Sequence, residues 1–152
     1  MTHANYTTWN EYKILGENIE NARNEAIHLM GDEARKAWEK IDADKARYEE
    51  MYKTLMPEVG MGATEILYSD RRAKTIVEVI TPNKIVVKEN ETKCLDYFGD
   101  RYEILDTINE NMGADTYTRR KSGHWVMAGQ PDKMGSVFLH IGKRYHSIDP
   151  SF

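Results

Sequence analysis

The stretch Val59–Lys88, VGMGATEILYSDRRAKTIVEVITPNKIVVK, decides the fold. It begins with Gly60 and Gly62, passes through a charged elbow at Ser69-Asp70-Arg71-Arg72, and then delivers two apolar runs joined by Thr81-Pro82-Asn83-Lys84. Alternation with a period of two and β-branched residues predict strands at Thr64–Tyr68, Thr75–Ile80 and Ile85–Val87. Pro82-Asn83 fits a tight turn, because proline presets φ and asparagine tolerates unusual backbone geometry. A glycine-flanked start, a charged first loop and a tight hairpin fit a small antiparallel SH3-like β-barrel or β-sandwich.

Before this stretch the period is helical. Thr8-Trp9-Asn10-Glu11 has the form of a capping box. Tyr12, Leu15, Ile19, Ala22, Ala26 and Leu29 then mark one face of a first helix. Gly31 is suited to close that helix and Asp32 to cap the next. Ala34, Trp38, Ile41, Tyr48, Tyr52 and Leu55 form a second stripe, broken by Lys45 and stopped at Pro57. The expected class is therefore α+β, with a helical hairpin over 1–57 and a β-domain over 58–152. Two helices of roughly 23 residues would each be about 35 Å long. Their stripes exceed what the segment after Pro57 could cover, so self-association through the hairpin is expected. Trp9, Trp38, Tyr48 and Tyr52 read as core or interface residues.

After Lys88 the pattern is irregular. Asn90-Glu91-Thr92-Lys93 reads as a polar turn, and Arg101–Leu105 as a strand. Ile108–Asp115 reads as a loop. Thr116–Arg120 and His124–Met127 read as a hairpin around Lys121-Ser122-Gly123. Ser136–Ile141 is a last strand, and Tyr145 and Phe152 are available to pin a tail.

Composition narrows the function. The 152 residues are 40% hydrophobic and 30% charged, as in a folded globular chain. The net charge of -4 argues against bulk nucleic-acid binding. Charge is uneven, however: residues 1–57 carry 8 Lys and Arg against 11 Asp and Glu, whereas residues 117–152 carry 6 against 2. A single cysteine, Cys94, excludes an internal disulfide and a cysteine-based metal framework. No apolar run approaches the ~18–20 residues of a membrane span, and no signal-peptide core is present, so a cytoplasmic location is expected.

No Gly-Lys-Ser phosphate loop, His-Glu-x-x-His or Gly-x-Ser-x-Gly motif occurs. His124, His140 and His146 lack partners at metal spacing. Asp70 is a lone acid beside Arg71 and Arg72, which is little for acid–base catalysis. Catalysis, a metal and a cofactor are not expected. A binding chemistry is: Arg71, Arg72, Arg119, Arg120, Lys121 and Arg144 fall at loops and strand ends, where a guanidinium fork suits phosphate oxygens. Tyr68, Tyr97, Phe98 and Trp125 could stack on a base. The residues expected to contact a ligand are Tyr68, Arg71, Asp96, Tyr97, Arg119, Arg120, Trp125 and Arg144.

The segments GMGATEILYSDRRAKTIVEV, TRRKSGHW and GKRYHSIDPSF together resemble the phage Thoeris anti-defence sponge family, first type. The resemblance covers most of residues 59–152 by pattern and the helices by architecture. It implies a phage protein without catalysis, acting in the bacterial host cytoplasm. It would sequester glycocyclic ADP-ribose, the signal of TIR-domain immune enzymes, and in some members cyclic di- or trinucleotides in separate pockets. Homodimers, or hexamers built from dimers, with pockets at subunit interfaces are implied as well. By position, Arg71 lies in the family's Tyr-Ser-Asp-Arg elbow and Arg120 in its Arg-Lys-x-Gly turn, while Asp96 and Tyr97 lie in the intervening loop. The chain departs from the pattern at Arg119, where an apolar residue is usual, and at His124, where a basic one is. An SH3-like adaptor for RNA or a protein partner is the alternative reading.

Overall fold

The computed structural model describes residues 5–96 and 101–149. The chain divides into two compact units, Met1–Met56 and Pro57–Phe152.

The first unit is a helical hairpin of α1, Trp9–Ala26, and α2, Gly31–Lys53. The capping box forms: the Thr8 side chain accepts from the Glu11 amide at 3.2 Å, and the Thr8 amide donates to Glu11 Oε2 at 3.0 Å. Thr7 pairs with Leu55, so the start of α1 lies beside the end of α2. Ile19, Ala26 and Ile41 form the core, with Leu15, Ala22, Ala37 and Tyr48 packed against it. The Tyr12 and Tyr48 rings stack at 4.1 Å between centroids, and this burial pushes the Tyr12 hydroxyl pKa upward. Two details differ from the sequence reading. The first helix ends at Ala26, short of Leu29, and Gly31 is the first residue of α2 instead of the cap of α1. Met30 is the N-cap and Asp32 sits in the first turn, beside the positive end of the helix dipole. The reversal needs a left-handed residue, and Gly31 supplies it with φ +62° at the start of the second helix.

The second unit is an antiparallel barrel. Its strands are β1 Gly62–Ile66, β2 Arg71–Thr81, β3 Lys84–Cys94, β4 Tyr102–Ile108, β5 Ala114–Arg119, β6 Trp125–Met127 and β7 Phe138–Ile141. Six of them close in the order β1-β2-β3-β5-β6-β7, with β7 returning to β1, and β4 adds to β3 outside the ring. Closure leaves those six strands without a free edge. Pro82-Asn83 makes the tight β2–β3 turn at the expected place, although Asn83 keeps an ordinary negative φ. Asn90–Lys93, read as a turn, instead continues β3, which pairs with β2 and β5 in its first part and β4 in its last. The polar residue is tolerated because both polar atoms of the Asn90 side chain are hydrogen-bonded in place. Its Oδ1 accepts from Thr75 Oγ1 at 2.8 Å and its Nδ2 donates to the Leu105 carbonyl at 3.0 Å. The second strand likewise starts earlier than read, at Arg71, so Arg71 and Arg72 are strand residues and the elbow itself is Leu67–Asp70.

Ala63, Ile76, Ile85, Val87, Tyr117, Trp125, Leu139 and Ile141 fill the barrel. The chain after β7 runs back along β2. Thr64 Oγ1 donates to the Lys143 carbonyl at 2.6 Å, and Arg71 and Ser147 exchange both backbone hydrogen bonds.

Candidate functional site

The elbow after β1 is a turn closed by the Leu67 amide donating to the Asp70 carbonyl at 3.0 Å. Arg71 follows it and reaches back: Nη1 donates to the carbonyls of Leu67 and Asp70, both at 2.9 Å. This holds the guanidinium plane in place. Nε and Nη2, the pair that grips a phosphate or carboxylate side-on, keep no partner among the described residues. Tyr68 beside it is 96% exposed. Behind the elbow, Asp70 Oδ1 accepts the Asp149 amide at 2.9 Å, so the tail braces the turn.

The remaining expected residues do not gather there. Opposed residues of an antiparallel ladder project to one face of the sheet, and successive residues alternate. Register links Arg119 to Trp125, Trp125 to Leu139, Leu139 to Glu65 and Glu65 to Arg72. Those five share the inward face. The adjacent row, Thr118, Val126, Phe138, Ile66 and Arg71, takes the other face. Arg71 and Arg119 therefore point to opposite sides of the sheet.

Arg119 and Trp125 are brought together, with the guanidinium 4.8 Å from the ring centroid. Trp125 itself is 0% exposed, a core residue with the arginine stacked on it. Arg119 also donates to Asn83 Oδ1 at 2.9 Å and the Pro82 carbonyl at 2.6 Å, tying β5 to the β2–β3 turn. Arg120 braces the loop between β6 and β7, donating to the Gln130 carbonyl at 2.7 Å and to Thr118 Oγ1 at 2.9 Å. In the same loop Asp132 accepts from Ser122 and faces His124 Nδ1 at 3.1 Å. Those two bonds hold the Asp132 carboxyl below the usual range. Arg144 donates to Thr75 Oγ1 at 3.0 Å and to the Gly60 carbonyl at 3.3 Å. Asp96 pairs with Arg101 at 3.2 Å. Tyr97, with Phe98, lies outside the described residues.

A cluster that the sequence reading missed occupies the inward face. Lys74, 3% exposed at its side chain, lies 3.4 Å from Asp115, 3.7 Å from Glu65 and 3.9 Å from Glu89. Arg72 approaches Glu89 at 3.7 Å, and the Tyr117 hydroxyl donates to Glu65 Oε2. Burial, then that bond to Glu65, drive the Tyr117 pKa upward. Arg72 Nε and Glu89 Oε1 are buried without a hydrogen-bond partner among the described residues. One signal was available: Glu65, Lys74 and Glu89 are opposite charges at inward positions of apolar strands.

Among the described residues, no three His, Cys, Asp or Glu side chains converge to hold a metal ion, and no helix is long and apolar enough to cross a membrane. His124 faces Asp132, whereas His146 lies against Ala73 and Tyr102. No family model, no curated protein and no solved structure matches the chain.

Proposed function

We propose that this protein binds a small phosphate-bearing cyclic nucleotide and holds it without cleaving it. In that role it acts as a sponge for an immune signal such as glycocyclic ADP-ribose. The observation that carries the reading is the Arg71 fork, fixed from behind by two carbonyls while its Nε and Nη2 edge has no partner among the described residues, with Tyr68 of the same elbow exposed. A prepositioned guanidinium loses little freedom on gripping a phosphate, and charge-assisted bonds of this kind contribute about 1.5–3 kcal/mol. Tyr68 offers a π-face on which an adenine can stack, an interaction of about 1–3 kcal/mol. The resemblance to the anti-defence sponges supports the same ligand class, because Arg71 falls in that family's elbow motif. In this reading the elbow forms one wall of a pocket completed by a second copy of the chain, and the protein is a homo-oligomer in a bacterial host's cytoplasm.

The test is retention and release. Purified protein is incubated with glycocyclic ADP-ribose, freed of unbound nucleotide and heat-denatured, and the released material is weighed by mass spectrometry. Intact nucleotide is expected, in amounts that fall at least tenfold for both Tyr68→Ala and Arg71→Lys. Absence of retention, or a linear product, overturns the reading.

A further inference from the structure

His146 sits where the tail meets the barrel. Its Nδ1 accepts the Ala73 amide at 3.2 Å, and its ring meets the edge of Tyr102 at 4.7 Å between centroids. One residue further on, the Ser147 carbonyl accepts the Arg71 amide at 2.7 Å and the Ser147 amide donates to the Arg71 carbonyl at 2.8 Å. Two residues beyond that, the Asp149 amide donates to Asp70 Oδ1. The chain from His146 to Asp149 is thus a strap laid along Asp70–Ala73, the segment that carries the Arg71 fork. Only a neutral imidazole has a ring nitrogen able to accept a hydrogen bond, since both nitrogens donate in the cation.

We infer that His146 is a proton-operated pin: neutral, it holds the strap against β2 and keeps the elbow in register, and charged, it loses its bond to Ala73 and loosens the strap. The charged groups that act on the ring are two carboxylates, Glu89 and Asp70, and two cations, Arg72 and Lys74, and Tyr102 packs against it. Their charges balance, which leaves desolvation as the largest influence and holds the ring below its usual pKa of 6.5. At neutral pH the pin is therefore closed. Acidification puts a cation into this partly desolvated position and removes the only acceptor that the ring offers the Ala73 amide. The pin stands on this geometry alone; its control of ligand binding rests on the Arg71 reading.

The experiment follows the His146 ring and the amides of Arg71, Ala73 and Asp149 by NMR between pH 7.5 and pH 5 in the full chain. Amide exchange is corrected for its intrinsic pH dependence. Protection of all three amides is expected to drop together, at least tenfold, as His146 becomes charged. In H146N the Asn Oδ1 replaces Nδ1 as an acceptor that cannot titrate, and protection is expected to stay level. The inference is overturned if His146 charges with the amides unchanged, or if H146N loses protection over the same range. Should H146N not fold, concerted change of ring and amides in the wild-type chain decides alone. Glycocyclic ADP-ribose added to the same samples separates the two readings. Amides that respond to pH without any shift on adding nucleotide leave the pin standing and remove the proposed ligand.

Discussion

The Arg144 side chain lies directly across Gly62, so that a Cβ on Gly62 would meet Arg144 Cγ at 2.8 Å. That glycine opens β1, and the arginine crossing it carries bonds to Thr75 and Gly60. Gly62→Ala is expected to displace the arginine and cost about 1.5–3 kcal/mol, the range for hydrogen bonds of a charged group. Urea unfolding of G62A, R144A and the double variant checks this. Because both changes break the same contacts, the double variant should lose clearly less than the two single losses added.

Arg120→Ala tests a different use of an arginine. The guanidinium holds Gln130 and Thr118, so its removal is expected to free the β6–β7 loop and lower stability by about 1–3 kcal/mol. Faster amide exchange at Gln130 and its neighbours, with β1 and β2 unaffected, is the expected signature. Loss of ligand with no loss of stability would instead make Arg120 a contact residue.

Lys74→Met removes the cation between three carboxylates and leaves buried Glu89 to Arg72 and buried Glu65 to the Tyr117 hydroxyl. Breaking one side of a buried ionic cluster typically costs about 3–5 kcal/mol. The urea midpoint should fall accordingly. A near-neutral result would mean that the strands relax enough to hydrate the acids.

The pH dependence of stability has a definite sign. Burial holds both His140 and His146 below the ordinary 6.5. Each ring then binds fewer protons folded than unfolded, so its contribution is complete above about pH 6.5 and shrinks as pH falls toward the folded value. The chain should therefore melt at lower temperature at pH 5 than at pH 7.5. The double variant H140N/H146N should flatten that slope. Asp132 acts in the same direction but lower, its contribution fading only as pH falls below 3.8. Calorimetry across both windows separates the two.

Local patterns were legible in the sequence because they are set by neighbours along the chain. The capping box at Thr8–Glu11 depends on residues three apart, and the Pro82-Asn83 turn on adjacent ones, so both appear as read. The change from helical to strand period near Ala63 likewise separates hairpin from barrel without any tertiary knowledge. Asn90–Lys93 was misread because its polar composition suits a turn, while its partner Thr75 and the Leu105 carbonyl lie fifteen residues away on other strands.

The sequence by itself determined the class of fold, the order of the elements and the residue types available for gripping an anion. Only the tertiary structure decided what each charge does. Six strands closing into a ring turn Glu65, Lys74 and Glu89 inward, where desolvation forces them to pair. The same closure spends much of Arg119, Arg120 and Arg144 on backbone carbonyls and neighbouring side chains. Arg71, next to the Arg72 that turns inward, takes the other face of β2 and keeps Nε and Nη2 without a partner among the described residues. Adjacent arginines are alike in sequence; strand alternation and the register of a distant strap make one of them framework and the other the candidate grip.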